Sequence, residues 1–207
     1  MIDINIEKKL KGYAGAGTLK VKHQFAPGSI TKIHGPSGAG KTTFLKIVAG
    51  LVQADEGKII VNNIAWLDSE RQVNLSPQAR RVGFVFQDYA LFPNMTVMQH
   101  LEYATTERPW INRLLHLGRL ETLATHKPHH LSGGQQQRLA ILRALAIKPQ
   151  LILMDEPFSA LDRAMKSELI SDLKSIFSQL NATVLIVSHN PDELVGIANE
   201  ELYIAGF

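Results

Sequence analysis

The 207-residue sequence predicts an α/β fold with a mostly parallel sheet at its core, an antiparallel β layer near the N-terminus and a helical insert. Nearly continuous apolar runs at Val82 to Phe86, Leu151 to Met154 and Val184 to Val187, with a weaker one at Ile30 to Ile33, have the length of strands buried on both faces. Helical periodicity fills the intervals: past Asp162, residues Met165, Leu169, Leu173, Ile176, Phe177 and Leu180 recur at three- and four-residue steps as one apolar stripe. Each run also stops at polar or glycine-rich residues, namely His34-Gly35, Gln87-Asp88, Asp155-Glu156 and Ser188-His189. Ligands of open α/β sheets sit outside the carboxyl ends of the strands, so these four ends are expected to meet at one site.

In chain order, Ile2 to Ile6 and Thr18 to Phe25 alternate apolar and polar residues, the pattern of an antiparallel layer with one wet face. The run at Ile30 leads into a glycine-rich turn and then a helix. Between Gln87 and Ser132 there is no buried-strand run. Instead, helical patterns at Val97 to Thr106, Trp110 to Leu117 and Arg119 to Thr125 are punctuated by Pro109, Gly118 and Pro128. A further helix follows Ser132 and runs to Lys148, where Pro149 stops it.

With 45% apolar and 20% charged residues the composition is that of an ordinary globular domain. Lys and Arg number 22 against 19 Asp and Glu, a scattered excess of +3 that makes no case for nucleic acid. The absence of cysteine excludes disulfides, thiolate chemistry and Cys-ligated zinc. No stretch approaches the roughly 18 apolar residues of a membrane span, and the N-terminus reads as a strand rather than a signal peptide.

Gly35-Pro36-Ser37-Gly38-Ala39-Gly40-Lys41-Thr42 fits the P-loop pattern G-x-x-x-x-G-K-[ST], with Thr43 following in the same turn. Its glycines let backbone N–H groups turn inward around phosphates, Lys41 reaches the β- and γ-phosphates, and the Thr42 hydroxyl ligates Mg²⁺. The helix that starts here points its positive end at the same anion. On this motif alone, kinases, GTPases and helicases all stay open. At the tip of the run Leu151 to Met154, Asp155 can hold Mg²⁺ directly or through water, and Glu156 can polarise a water for attack on the γ-phosphate. Without the P-loop, the same residues would read as a strand and an acidic turn. Leu131-Ser132-Gly133-Gly134-Gln135 has the S-x-x-Q spacing of a capping box and continues as Gln136, Gln137 and Arg138. The cap leaves unexplained why two glycines stand in a first helical turn, where each costs propensity.

Together these residues resemble one family, the nucleotide-binding subunits of ABC transporters. The P-loop, Gln87, the signature Leu131 to Gln135, Asp155-Glu156, Ser159-Ala160-Leu161-Asp162 and His189 stand in that family's order and cover nearly the whole chain. The resemblance implies a single P-loop NTPase domain. A RecA-like core over 1–87 and 150–207 would include the antiparallel layer, and a helical subdomain over 88–149 would carry the signature. It also implies a head-to-tail homodimer closing on two ATP molecules with Mg²⁺. In such a dimer residues 35–43 of one subunit hold the phosphates, while Ser132, Gly133, Gly134 and Gln135 of the other reach the same nucleotide, Ser132 and Gly134 at the γ-phosphate. By the same resemblance Thr42 and Asp155 hold the metal, Gln87 touches the metal or water and senses the transporter, Glu156 is the general base, and His189 contacts the γ-phosphate. Asp162 reads equally as a communicator across the dimer and as an ordinary N-cap. Tyr13 stands about where the family stacks an aromatic on adenine, although Gly12, Gly15 and Gly17 around it also fit a surface loop.

The segment Tyr89, Leu91, Phe92 and Met95 resembles the groove that receives a coupling helix of the membrane subunit, the alternative being packing within the insert. The stretch from Arg80 to Pro93 is similar to importer subunits, notably those for molybdate and other oxyanions, with text shared by sugar, polyamine, sulfate and iron importers. The implied partners are transmembrane permease subunits, with a solute-binding protein, and the implied location is the cytoplasmic face of the membrane, as a peripheral subunit without direct nucleic-acid contact. Soluble relatives in DNA maintenance or translation are disfavoured, since a long coiled-coil insertion, a second ATPase unit and a basic patch are all missing. An exporter or a regulatory ATPase would differ mainly in its partner. The chain stops at Phe207, so no C-terminal regulatory domain is expected. His126, His129 and His130 near the signature read as a solvated loop rather than a metal site, there being no cysteine and a proline among them.

Overall fold

The computed structural model describes residues 1–12, 15–190 and 193–206. Strands β1 (Ile2–Gly12), β2 (Gly15–Phe25), β4 (Glu56–Val61), β5 (Ile64–Asp68) and β6 (Val73–Asn74) form an antiparallel sheet in the order β2-β1-β4-β5-β6. Strands β3 (Ile30–His34), β7 (Gly83–Val85), β8 (Leu151–Asp155), β9 (Thr183–Val187) and β10 (Glu200–Tyr203) form a wholly parallel sheet in the order β10-β3-β9-β8-β7. All four predicted parallel strands are therefore present, each within a residue or two of its expected ends. The antiparallel layer is larger than expected: β4 to β6 extend it. The hairpin between β4 and β5 turns on Asn62 and Asn63 with φ of 49° and 66°, the left-handed pair that a two-residue hairpin needs.

Alternation along β8 and β9 divides the core in two. Ile152, Met154, Val184 and Ile186 face one hydrophobic cluster, which continues into the helical segment through α5 (Gly133–Ala146) and α6 (Arg163–Leu180). Leu151, Leu153, Leu185 and Val187 face the other, which also takes Ile4, Ile6, Phe25 and Ile59 from the antiparallel sheet. Between the two sheets lies α1 (Lys41–Val48), whose Phe44, Leu45, Ile47 and Val48 are fully buried. An eight-residue helix is marginal alone, whereas each buried side chain of this size contributes about 1.5–3 kcal/mol, so packing holds α1 in place.

The far end of α1 is tied by Arg80, the last residue of the short helix α2 (Pro77–Arg80). Its guanidinium donates to the carbonyls of Ile47 and Val48 (both 2.8 Å), Leu75 (3.0 Å) and Trp66 (3.2 Å) and to Asn74 Oδ1 (2.8 Å). Burial pushes its pKa down to about 10, which leaves it charged at neutral pH. A cation at a helix C-terminus is favourable, and this one spans the gap between α1 and the antiparallel sheet.

The insert contains α3 (Val97–Glu102) and α4 (Arg108–Gly118). Two expectations change there. The helix from Val97 stops at Glu102 rather than near Thr106, and the segment from Arg119 to Thr125 is only a 3-10 turn over Glu121–Leu123, because Arg119 takes φ 51° and ends α4. Likewise α5 ends at Ala146, and Lys148 turns out with φ 50°. Among the described residues no helix is long and apolar enough to cross a membrane.

Candidate active site

The turn from β3 into α1 builds the floor of an open cleft of about 420 Å³. Gly35 has φ 149°, and a side chain there would stand 2.1 Å from the Ile204 carbonyl oxygen. Gly40, at φ 90°, is the N-cap of α1, and no side chain caps this helix start, nor does an acidic residue occupy the first turn. The first-turn amides are thus left to an external anion, and the helix dipole favours one. Lys41 Nζ donates to the carbonyls of Gly35 (2.9 Å) and Pro36 (2.8 Å), so the lysine folds the loop around itself. Burial lowers its pKa, while the carboxylates of Glu156 and Asp155 act in the opposite direction.

The parallel ladder brings the other strand ends to the same level. Asp155, 2% exposed, is the last residue of β8 and pairs with Val187. Glu156 then takes φ 51° and donates its N–H to the Val187 carbonyl at 3.0 Å, while His189 Nε2 lies 3.1 Å from Glu156 Oε1. Ser37, Gly38, Gly40, Lys41, Thr42, Thr43, Gln87, Asp155, Glu156 and His189 all line the cleft, with Gln87 exposed just beyond β7. Gly35, Pro36 and Ala39 form the back of the loop rather than its lining; Ala39 N donates to the Pro36 carbonyl at 3.2 Å. Tyr13 lies outside the described residues.

One arrangement beside the cleft was invisible in the sequence. Ser188 Oγ donates to Glu193 Oε2 at 2.6 Å, and Lys166 Nζ on α6 pairs with Glu193 Oε1 at 2.7 Å. Buried Ser188 is thereby anchored to α6 immediately before His189. The only advance signal was a carboxylate four positions after the histidine.

The signature does not join its own chain's cleft. Ser132 caps α5 through a complete capping box, with Gln135 N to Ser132 Oγ at 3.3 Å and Ser132 N to Gln135 Oε1 at 2.8 Å. A side chain at Gly134 would meet Leu161 Cδ2 at 3.2 Å and the Ala160 carbonyl at 3.3 Å, tight contacts that a Cβ would have to push back. At Gly133 the nearest atom would be Ala160 Cβ at 3.9 Å, so nothing described in this chain requires glycine there. Asp162 caps α6, accepting from Met165 N at 3.0 Å.

Residues 88–95 fold over the insert. Tyr89 and Ala90 have φ of 64° and 46°, and their carbonyls accept from Arg143 at 3.0 and 2.6 Å. Phe92 N donates to His100 Nε2 at 2.9 Å, and His100 Nδ1 lies 2.7 Å from the Thr96 carbonyl, which fixes a neutral imidazole with its proton on Nδ1. Tyr89 and Leu91 pack against the core and Met95 is half-buried, whereas Phe92 and Tyr103, in edge contact, remain 39% and 70% exposed. Packing within the insert, one of the two readings of this segment, accounts for Tyr89 and Leu91 but not for the exposed ring of Phe92.

Comparison with known proteins accords with this geometry. Residues 19–159 match the family model described as ABC transporter. The chain belongs to the ABC transporter family. It is 38% identical over 206 residues to the molybdenum import ATP-binding protein ModC of Photorhabdus laumondii, covering 99% of this chain and 57% of that protein. It is 39% identical over 204 residues to the sulfate/thiosulfate import ATP-binding protein CysA of Mesostigma viride, covering 95% and 56%. This ABC chain therefore spans little more than half the length of those relatives. Its fold matches the ATP-binding cassette MJ0796, solved as a dimer in a post-hydrolysis state bound to ADP and Pi, with a TM-score of 0.84, 33% identity, and coverage of 99% of this chain and 94% of that one.

The His100 bonds make the 88–95 segment sensitive to acid. Burial holds the imidazole below its ordinary 6.5, with the Arg143 cation adding to the effect against the Thr96 bond, and a protonated ring could not accept from Phe92 N–H. The folded state binds fewer protons here than the unfolded chain. This contribution to stability falls as pH drops below the unfolded value of 6.5 and is fully lost below the depressed folded value. His100→Leu should cost about 1–2 kcal/mol at neutral pH and shrink the loss of stability on going to about pH 5, both measured by urea unfolding.

Proposed function

We propose that this chain is the ATP-hydrolysing subunit of a solute importer, acting as a homodimer on the cytoplasmic face of the membrane as a peripheral partner of a permease. The observation that carries the ATPase reading is the convergence of Lys41, Asp155, Glu156 and His189 on the uncapped start of α1. Dimer formation is supported by the signature's separation from its own cleft and by a Gly133 that its own chain does not require. A second copy placed head-to-tail would supply Ser132 and Gly134 to the first copy's nucleotide, and the solved relative supports dimer formation by being a nucleotide-bound dimer.

In this reading the P-loop amides and Lys41 hold the phosphates. The water oxygen attacks the γ-phosphorus in line with the bond to the β–γ bridging oxygen, that bond breaks, and the water's proton passes to Glu156. His189, in contact with Glu156 Oε1, holds the carboxylate at the cleft wall and meets the γ-phosphate. The Thr42 hydroxyl, the Asp155 carboxylate and the Gln87 amide are hard oxygen donors that line the cleft and would suit Mg²⁺. A Mg²⁺ held by these residues would supply neutralisation of charge on the phosphates. Among the described residues no group of three His, Asp or Glu gathers as a separate metal cage.

The names of the similar molybdenum and sulfate/thiosulfate import proteins support import, with an oxyanion as cargo and a solute-binding protein to deliver it. The exposed ring of Phe92 beside Tyr103 supports docking of a permease helix on the segment after Gln87. Capture of the tagged chain from gently solubilised membranes should bring down a polytopic membrane subunit; recovery of soluble partners alone would refute the transport role. Glu156→Gln should keep ATP binding, accumulate an ATP-bound dimer by light scattering, and lower turnover by roughly 10²-fold or more. Undiminished turnover would remove Glu156 from the role of base. Gly133→Ala should leave stability unchanged or raise it by up to about 1 kcal/mol, yet weaken ATP-dependent dimerisation and turnover, a combination that packing within one chain cannot produce.

A further inference from the structure

Gln137 lies one helical turn inside the signature helix and is 1% exposed. Its side chain makes no bond within α5. Instead Nε2 donates to the Glu156 carbonyl at 3.2 Å and to Ser159 Oγ at 3.2 Å, and Oε1 accepts from Ala160 N at 3.1 Å. Ser159 Oγ donates in turn to the same Glu156 carbonyl at 3.2 Å. The amide orientation follows from its partners, since the reverse would set donor against donor at Ala160 and acceptor against acceptor at Glu156. These bonds act on a strained residue. Glu156 is a non-glycine residue at φ 51°, a conformation that costs about 1–2 kcal/mol and persists only where the surroundings over-determine it.

We infer that Gln137 is a positioning residue that fixes the backbone of Glu156, and through it the direction of the carboxylate. It also joins that carboxylate mechanically to the signature turn. The second part rests on the dimer reading above: the start of α5 would touch the nucleotide bound by the partner copy, while Gln137 holds the base for the chain's own nucleotide. One buried amide then links the two sites of the dimer. An apolar side chain of the same length would keep the volume and remove the bonds, which separates the two contributions.

The test compares Gln137→Met, which keeps length without the amide, with Gln137→Glu, measuring kcat, KM, ATP affinity of the isolated chain and amide exchange over 156–160. Gln137→Met should lower kcat by roughly 10- to 100-fold with ATP affinity changed less than about twofold, and should speed exchange at Ala160. In Gln137→Glu a protonated carboxyl can still donate to the Glu156 carbonyl and an ionised one cannot. Its kcat relative to wild type should therefore fall as pH rises, which also serves if the methionine variant fails to fold. Wild-type kcat in Gln137→Met, an equal loss of kcat and ATP affinity, or a pH-independent ratio for Gln137→Glu would overturn the proposal. Glu156→Gln run alongside separates the two readings. Should it turn over like wild type, the base assignment fails, whereas faster Ala160 exchange in Gln137→Met reports the link to the loop independently of that role.

Discussion

The cleft depends on the parallel ladder that joins β3, β9 and β8. Parallel strands end at the same edge, so Gly35, Asp155, Glu156, Ser188 and His189 reach one place without any contact among their side chains being needed first. The ladder continues one step past the strands: Glu156 N bonds to Val187 and Ser188 N to Ile33. These two backbone bonds convert a secondary-structure register into the spacing between the carboxylate and the imidazole. A slip of one residue in β9 would send Val187 to the wrong cluster and His189 away from Glu156, so the apolar alternation that builds the core also protects the site geometry.

The helix α1 supplies the charge that the ladder cannot. It is short, wedged between two sheets, and electrically incomplete at its beginning, where side chains leave its amides alone. At its other end Arg80 answers the carbonyls of Ile47 and Val48. One end of the dipole is thus satisfied by the protein and the other is left for a ligand. The uncapped start of α1 favours negative charge in the cleft, despite the carboxylates of Asp155 and Glu156 on its wall.

Much of this was legible in the sequence, and the misses have physical causes. Three of the apolar runs announced their strands because burial on both faces leaves few polar residues to confuse the pattern, whereas β3 was the weakest of the four because Thr31 and Lys32 interrupt it, although both are buried. The capping box at Ser132 and the place of Asp162 before α6 were local signals that the fold honours. By contrast β4 and β5 were hidden by Gly57, Lys58 and their wet outer face, although Asn62-Asn63 between two alternating runs was a readable turn. The edge strand β10 carries two glutamates and took its assignment from pairing with β3. Bonds that cross the fold, such as Glu193 to Ser188 and Lys166, or Gln137 to Glu156 and Ala160, involve polar residues whose partners are chosen only when the chain is packed.

The close approach of Ile204 to Gly35 gives the closing stretch of the described chain a mechanical part in shaping the loop between β3 and α1. Ile204 N bonds to the His34 carbonyl at 2.9 Å, its own carbonyl occupies the space a Gly35 side chain would need, and Gly206 lies against the ring of Pro36. The phosphate loop is therefore braced from behind by backbone, as an arch is by a buttress. Tension applied to the chain beyond residue 206, by a tethered module or a fusion, would load that arch directly without touching a single residue that lines the cleft.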